Sequence, residues 1–187
     1  VKKIFLRIVL LLILANVGFG DVIQILGSNY SIYKGNVYYG NEILEGANPK
    51  TAELIGFSLL KDDKNHVYIG NSSIGLWKLD KIENPETFEF LSDTINTDSF
   101  YGKDKYNVYY VNRIFLSCFG TYTWIGFKVE GINRDKVEVL NDWFIKDDKN
   151  IYFEGKILEG VDYNTFEVLP NGDGKDKNRS YEYLTKD

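Results

Sequence analysis

An Asp stands five residues before a Tyr four times along the chain: Asp63/Tyr68, Asp104/Tyr109, Asp147/Tyr152 and Asp176/Tyr181. Paired carboxylates are the tools of glycosidases, so the inventory alone allows a hydrolase. A catalytic pair does not recur in register, however, whereas a turn does. Asp accepts hydrogen bonds from the backbone two residues on, and the Lys and Asn that fill the interval suit the same turn. The recurring Asp therefore reads as a structural cap. Other chemistry lacks material. One His (His66) and one Cys (Cys118) give ordinary zinc sites and Ser-His or Cys-His nucleophilic sets almost nothing to work with. Gly-rich phosphate loops and dinucleotide fingerprints are missing. His66 reads as a solvated variant of its turn. The stretch Asn171-Gly172-Asp173-Gly174-Lys175-Asp176-Lys177-Asn178 is rich in oxygen donors, but Lys175 occupies the fifth place of a would-be calcium loop, and an exposed, flexible turn is expected there. No catalytic, cofactor-binding or metal-ligating residue is assigned, no cofactor is expected, and the chain is expected not to be an enzyme.

The Asp–Tyr interval is one part of a longer repeat. After the Tyr, Gly40-Asn41-Glu42-Ile43-Leu44-Glu45-Gly46 matches Gly155-Lys156-Ile157-Leu158-Glu159-Gly160, with traces at Gly70 and Ile74 in the second copy. A third part has an Asx residue, a polar residue three on, an apolar one, Glu, and two more apolar ones. It occurs from Asn48, Asn84, Asn133 and Asp162, with Glu53, Glu89, Glu138 and Glu167 as the acidic member. Tyr38 opens the first copy without an Asp before it. From Tyr to the polar residue of the third part is 13 residues in copies one and four (38 to 51, 152 to 165), 19 in copy two (68 to 87) and 27 in copy three (109 to 136). Copies two and three therefore carry inserts, within 71–82 and 112–131.

The clearest copy, 147–169, shows what the unit should fold into. Trp143-Phe144-Ile145-Lys146 has strand composition, and Asp147-Asp148-Lys149-Asn150 forms the turn. Ile151-Tyr152-Phe153 returns, Glu154-Gly155 is a two-residue hairpin turn, and Lys156-Ile157-Leu158 pairs back. Asp162 opens an Asx or type I turn, where Pro49 and Pro85 stand at the next position in their copies. Phe166 and Val168 then alternate with Glu167 as in a half-buried strand. A lone hairpin is marginal, so neighbouring units must stack. The expected fold is all-β: tandem units of short antiparallel strands in an open stack or meander, with a small propeller-like ring as the alternative. The recurring Tyr is expected to stack between units with its hydroxyl at the edge; a row of Tyr serving as a ligand platform is the other reading.

The segments Asp63-Lys64-Asn65-His66-Val67-Tyr68, Asp104-Lys105-Tyr106-Asn107-Val108-Tyr109-Tyr110, Asp148-Lys149-Asn150-Ile151-Tyr152-Phe153 and Asp176-Lys177-Asn178 resemble the motif for which the DKNYY family of bacterial proteins is named. The resemblance covers most of 33–183. The family has no assigned activity, so the resemblance implies a repeat architecture and carries over no functional residues.

Residues 1–20 read as a secretory signal peptide: Lys2, Lys3 and Arg7, then an apolar run over 8–15, then small residues Gly18 and Gly20. Residues 21–187 are expected to form a single repeat domain, with units around Tyr38, Tyr68, Tyr109 and Tyr152 and a partial one around Tyr181. Export to the periplasm, outer surface or medium is expected, with membrane contact only through the uncleaved leader. A lone Cys118 among Phe115, Leu116 and Phe119 suits burial, or else an intermolecular disulfide. Net charge is −5, with no basic stripe of the kind a nucleic-acid partner requires. The inserts carry Trp77 and Trp124. Either these aromatics contact a protein or glycan at the envelope, or the third copy simply extends its sheet and buries Trp124. The expected role is a non-enzymatic binding or scaffolding module; self-association and a carboxylate hydrolase are the alternatives.

Overall fold

The computed structural model describes residues 22–56, 58–64, 66–71, 75–92, 98–116 and 121–182; the expected leader at 1–20 and Cys118 lie outside them. The described chain is all-β and forms five small antiparallel sheets, each a meander. The first holds β1 (Gln24–Gly27), β2 (Tyr30–Tyr33), β3 (Asn36–Tyr39) and β4 (Glu42–Ile43). The second holds β5 (Glu53–Leu54), β6 (Leu59–Lys61), β7 (Val67–Asn71) and β8 (Gly75–Lys78). The third holds β9 (Glu89–Phe90), β10 (Ser99–Lys103), β11 (Val108–Leu116) and β12 (Thr121–Lys128). The fourth holds β13 (Glu138–Val139), β14 (Phe144–Lys146), β15 (Ile151–Phe153) and β16 (Lys156–Ile157), and the fifth holds β17 (Glu167–Val168), β18 (Gly174–Lys175) and β19 (Ser180–Tyr181).

The strand and turn order expected for 143–169 is the order found. Glu154 and Gly155 both take positive φ (48° and 77°), as a two-residue hairpin turn requires. The Asx-led part of the repeat forms a turn or a short 3-10 segment at 85–87 and 134–136, and leads into the first strand of the next sheet. Its Glu lies across from a Lys on the next strand. Glu89–Lys103 (3.8 Å), Glu138–Lys146 (3.2 Å) and Glu167–Lys175 (2.8 Å) are the resulting ion pairs. The Glu of each pair is exposed and the Lys half-buried, so a pair adds little stability by itself, but it favours the correct register.

Stacking follows from strand alternation, because successive side chains point to opposite faces. In the second sheet, Leu60 and Tyr68 join Tyr30, Val37 and Tyr39 of the first sheet. On the other face, Leu59, Val67 and Ile69 join Phe100, Tyr109, Val111 and Trp124 of the third. The third sheet repeats the scheme, sending Tyr101, Val108 and Tyr110 against Ile145 and Tyr152 of the fourth. Phe144 of the fourth then meets Phe166, in the segment leading to the fifth, with ring centroids 5.3 Å apart. Each inner sheet is thus buried on both faces, with the motif Tyr turned toward the sheet before it.

The stack is open, which rules out the ring. The outer face of the first sheet exposes Ile25 and Ile43, and that of the last exposes the Glu167–Lys175 pair. The inserts of copies two and three lengthen the β7–β8 and β11–β12 hairpins. Gly70 is not a counterpart of the turn glycines Gly40 and Gly155. It lies inside β7 beneath the Tyr39 ring, where a Cβ would clash.

Candidate functional site

The repeated carboxylate has the most elaborate surroundings. Asp147 is buried at the end of β14. Its Oδ1 accepts the N–H groups of Lys149 and Asn150, both at 2.8 Å, and so caps its own turn. Its Oδ2 accepts the Tyr152 hydroxyl at 3.0 Å and, at 2.8 Å, the N–H of Asn133, which opens the linker arriving from the third sheet. One side chain therefore ties turn, return strand and incoming linker together. Asp104 does the same with Tyr106, Asn107, Tyr109 and Asn84. Asp176 does it with Asn178, Arg179, Tyr181 and Asp162. The polar residue of the Asx-led part adds a second tie, since Thr87 and Thr165 Oγ1 accept the N–H of Lys105 and Lys177.

The second copy corrects the sequence-based register. Its clamp is Asp62, not Asp63. Asp62 accepts the N–H of Lys64 and His66 on Oδ1 and that of Asn48 on Oδ2. Asp63 is exposed and binds only the linker side chains Asn48 and Thr51. This turn is one residue longer. Its Tyr68 hydroxyl points to Glu45 O (3.4 Å), and His66 Nδ1 takes the vacated place on Asp62 Oδ2 at 3.0 Å. His66 is accordingly a packed member of the clamp, tilted against Tyr68, and not a solvated turn residue.

Two further expectations change for the same reason. Tyr109, Tyr152 and Tyr181 spend their hydroxyls on the clamp and Tyr68 turns its own to the Glu45 carbonyl, so they form no ligand platform. Burial, together with the Asp147 carboxylate, pushes the Tyr152 hydroxyl up to about 12. The oxygen-rich stretch from Asn171 is not a flexible exposed turn over its whole length. It contains β18, a buried Gly174 and the clamp Asp176.

The clamps make stability depend on acid. Burial pushes the Asp104 and Asp147 carboxyls up, but the hydrogen bonds they accept outweigh it and hold both below the ordinary Asp range. Asp176 is held low first by the Asp162 N–H. A carboxyl depressed in the folded state adds stability above its unfolded value, about 3.9, and loses it as pH falls through the folded value. The urea midpoint should therefore be level from about pH 7 to 5 and drop steeply below about pH 4. Urea titrations at stepped pH check this.

The most individual surface is the β11–β12 hairpin. The row of pairs Val111–Gly126, Arg113–Trp124 and Phe115–Tyr122 lies on the face toward the second sheet. Burial fades along it: Val111 and Trp124 are buried, while Tyr122 is 39% and Phe115 55% exposed. The hairpin has outgrown the sheet that covers its base. At the overhang the Phe115 and Tyr122 rings are 5.0 Å apart, and the Arg113 guanidinium lies 4.6 Å from the Tyr122 ring centre while pairing with Asp98. Trp124 packs on Phe100 and Trp77 against the same core, so the expected extension of the third sheet over a buried Trp124 is what occurs. Nearer its base, Phe127 is 45% exposed between two open grooves. One groove, of about 590 Å³ between the third and fourth sheets, is lined by Tyr110, Glu130, Glu154 and Ile157. Among the described residues, no three His, Cys, Asp or Glu side chains gather as a metal site would need. Sequence reasoning missed Phe115, Tyr122 and Phe127 as exposed aromatics; the insert length pointed to the hairpin, but not to which of its rings stay uncovered.

An open stack of small β-meanders, the last four each tied to the incoming linker by a buried Asp, defines a tandem-repeat protein. The chain belongs to the DKNYY family, whose model matches residues 30–185. No curated protein and no solved structure matches it.

Proposed function

We propose that the chain is an exported, non-catalytic module that binds a protein partner at the bacterial envelope through the overhang of the β11–β12 hairpin. The observation that carries this reading is the exposed Phe115–Tyr122 pair with Arg113 stacked on it. Aromatic residues and Arg dominate the energetic centres of protein interfaces, and here they stand on a regular hairpin instead of a loose loop. The non-catalytic part is supported by how the clamp carboxylates are spent: each is saturated by its own turn and linker. The export part rests on the basic and apolar pattern of residues 1–20. Glycan is the other partner class that exposed aromatics suit, and nucleic acid is disfavoured by the acidic balance.

The test is capture from an envelope extract, with immobilised chain against a Phe115→Ala/Tyr122→Ala variant of unchanged urea midpoint. The expected result is a discrete protein retained by the parent and reduced at least tenfold on the variant. Equal retention by both would sink the hairpin reading, and retention of envelope glycan alone would move the partner class. A Trp124 variant is unsuitable, because that ring belongs to the core.

A further inference from the structure

The outer face of the first sheet is built like an interior face. Register places Ile25, Ser31, Tyr38 and Ile43 in one row across the four strands, and Tyr33 lies beside Tyr38 with ring centroids 6.5 Å apart. Tyr38 pairs with Ile43 as Tyr152 pairs with Ile157 in the fourth sheet, so it occupies the position of the motif Tyr. In the second, third and fourth sheets that Tyr is covered by the face of the preceding sheet. In the first sheet its row is open: Ile25 is 79% and Ile43 51% exposed.

We infer that a second copy of this chain covers this face, the two first sheets packing face to face about a two-fold axis. Two observations select that occupant. The first is the turn beside Tyr38. Where the other sheets carry a clamp Asp reaching for a linker N–H, the first carries the tight two-residue turn Lys34–Gly35, with φ of 47° and 75° and no carboxylate. A preceding repeat of the same chain would arrive through a linker, and the side chain that pins such linkers is missing, so this face suits a cover that is not joined to it by one. The second is the opposite end of the stack. Its face sets Ser180 opposite Lys175, where the second, third and fourth sheets set Val67, Val108 and Ile151 opposite their Lys, so the apolar residue that beds a following sheet is replaced by a polar one. Head-to-tail growth is therefore disfavoured, and the apolar row matches only itself, as an isologous contact requires.

The size of the face sets the strength. Four short strands spaced about 4.8 Å apart, with a rise of about 3.3 Å per residue, offer only a few hundred Å² per copy, below the roughly 800 Å² per partner of a stable interface. The dimer is weak, with half-association at tens to hundreds of micromolar. This inference does not rest on the hairpin reading, which concerns the other side of the molecule's third sheet.

Sedimentation equilibrium over a concentration series, on the chain as its host processes it, tests the proposal. The expected result is a monomer–dimer equilibrium that stops at the dimer. An Ile25→Lys/Ile43→Lys variant should weaken association at least tenfold with the urea midpoint unchanged, since both side chains are exposed in the monomer. Hydrogen exchange should show protection over 24–43 rising with concentration in the parent alone. A parent that stays monomeric at millimolar concentration overturns the proposal. So do oligomers growing beyond the dimer, or dimerisation left intact by the two lysines.

Discussion

Asp147→Ala should cost the fold about 3–5 kcal/mol, while Asp148→Ala, one residue away, should cost less than about 1 kcal/mol. Asp147 is buried and accepts from four donors: the N–H groups of Asn133, Lys149 and Asn150 and the Tyr152 hydroxyl. Alanine keeps the backbone but orphans those donors together. The Tyr152 hydroxyl is among them, on a side chain fully enclosed between the third and fourth sheets. An orphaned buried donor costs about 1–3 kcal/mol, and a turn that can open to water recovers part of that, which sets the range. Asp148 is exposed and receives only the Asn133 amide at 3.1 Å. Asp147→Asn should fall between the two, because its Oδ1 still caps the turn while its amide nitrogen faces a donor N–H. In the second copy the asymmetry should read Asp62 large, Asp63 small, the reverse of what a five-residue Asp–Tyr interval suggests. Urea midpoints of the five variants measure this. Comparable losses at Asp147 and Asp148 would mean that the buried carboxylate does not hold turn, strand and linker together.

Why that register was misread from sequence shows where legibility ended. Strand order, turn positions and the location of the inserts were all legible, because each rests on short-range chemistry: alternating apolar residues, Glu154-Gly155 as a two-residue turn, Asn48-Pro49 and Asn84-Pro85 as linker starts. That the repeated Asp serves architecture was also legible, from its recurrence alone. What it grips was not. The Asn133 N–H lies 14 residues before Asp147, and the Asn84 N–H lies 20 before Asp104; both belong to the recurring Asx residue, but the bond is made by the backbone, which the residue type does not announce. With Asp62 and Asp63 adjacent, only the extra residue in the loop decides which one turns inward, and His66 marks that residue by filling the gap it leaves. The candidate binding surface was half legible. An insert of known length announced the long hairpin, but which aromatics it buries depends on how far the second sheet reaches, and that is a property of two units together. Trp124 falls inside this reach and Phe115 outside it.

The same dependence between units predicts a coupling that neither residue shows alone. Gly102 lies in β10 under the Phe88 ring, where a Cβ would strike the ring and come 3.1 Å from the Glu89 carbonyl oxygen. Gly174 lies in the same way under Phe166. In the other two clamped units the bulk is exchanged: Leu60 and Ile145 occupy the glycine's place, two residues before the clamp Asp, and Ala52 and Val137 replace the Phe. Volume is thus shared across this pair, large against none or small against large. Gly102→Ala should accordingly destabilise by about 2–3 kcal/mol through overpacking, although alanine in a strand interior is ordinarily favoured over glycine by about 0.5–1 kcal/mol. Gly126→Ala, in β12 of the same sheet, is the control. Its Cβ would meet nothing closer than 3.7 Å, so that variant should be neutral or slightly more stable. Phe88→Ala alone should cost about 3–5 kcal/mol by emptying a fully enclosed site. Combined as Phe88→Ala/Gly102→Leu, the pair copies the Ala52–Leu60 arrangement, and the double variant should be more stable than the sum of its single changes by about 2 kcal/mol or more. A urea double-mutant cycle reads that difference directly. Strict additivity would mean that the two positions do not share one volume, and that the alternation of Phe–Gly with Ala–Leu along the chain has another cause.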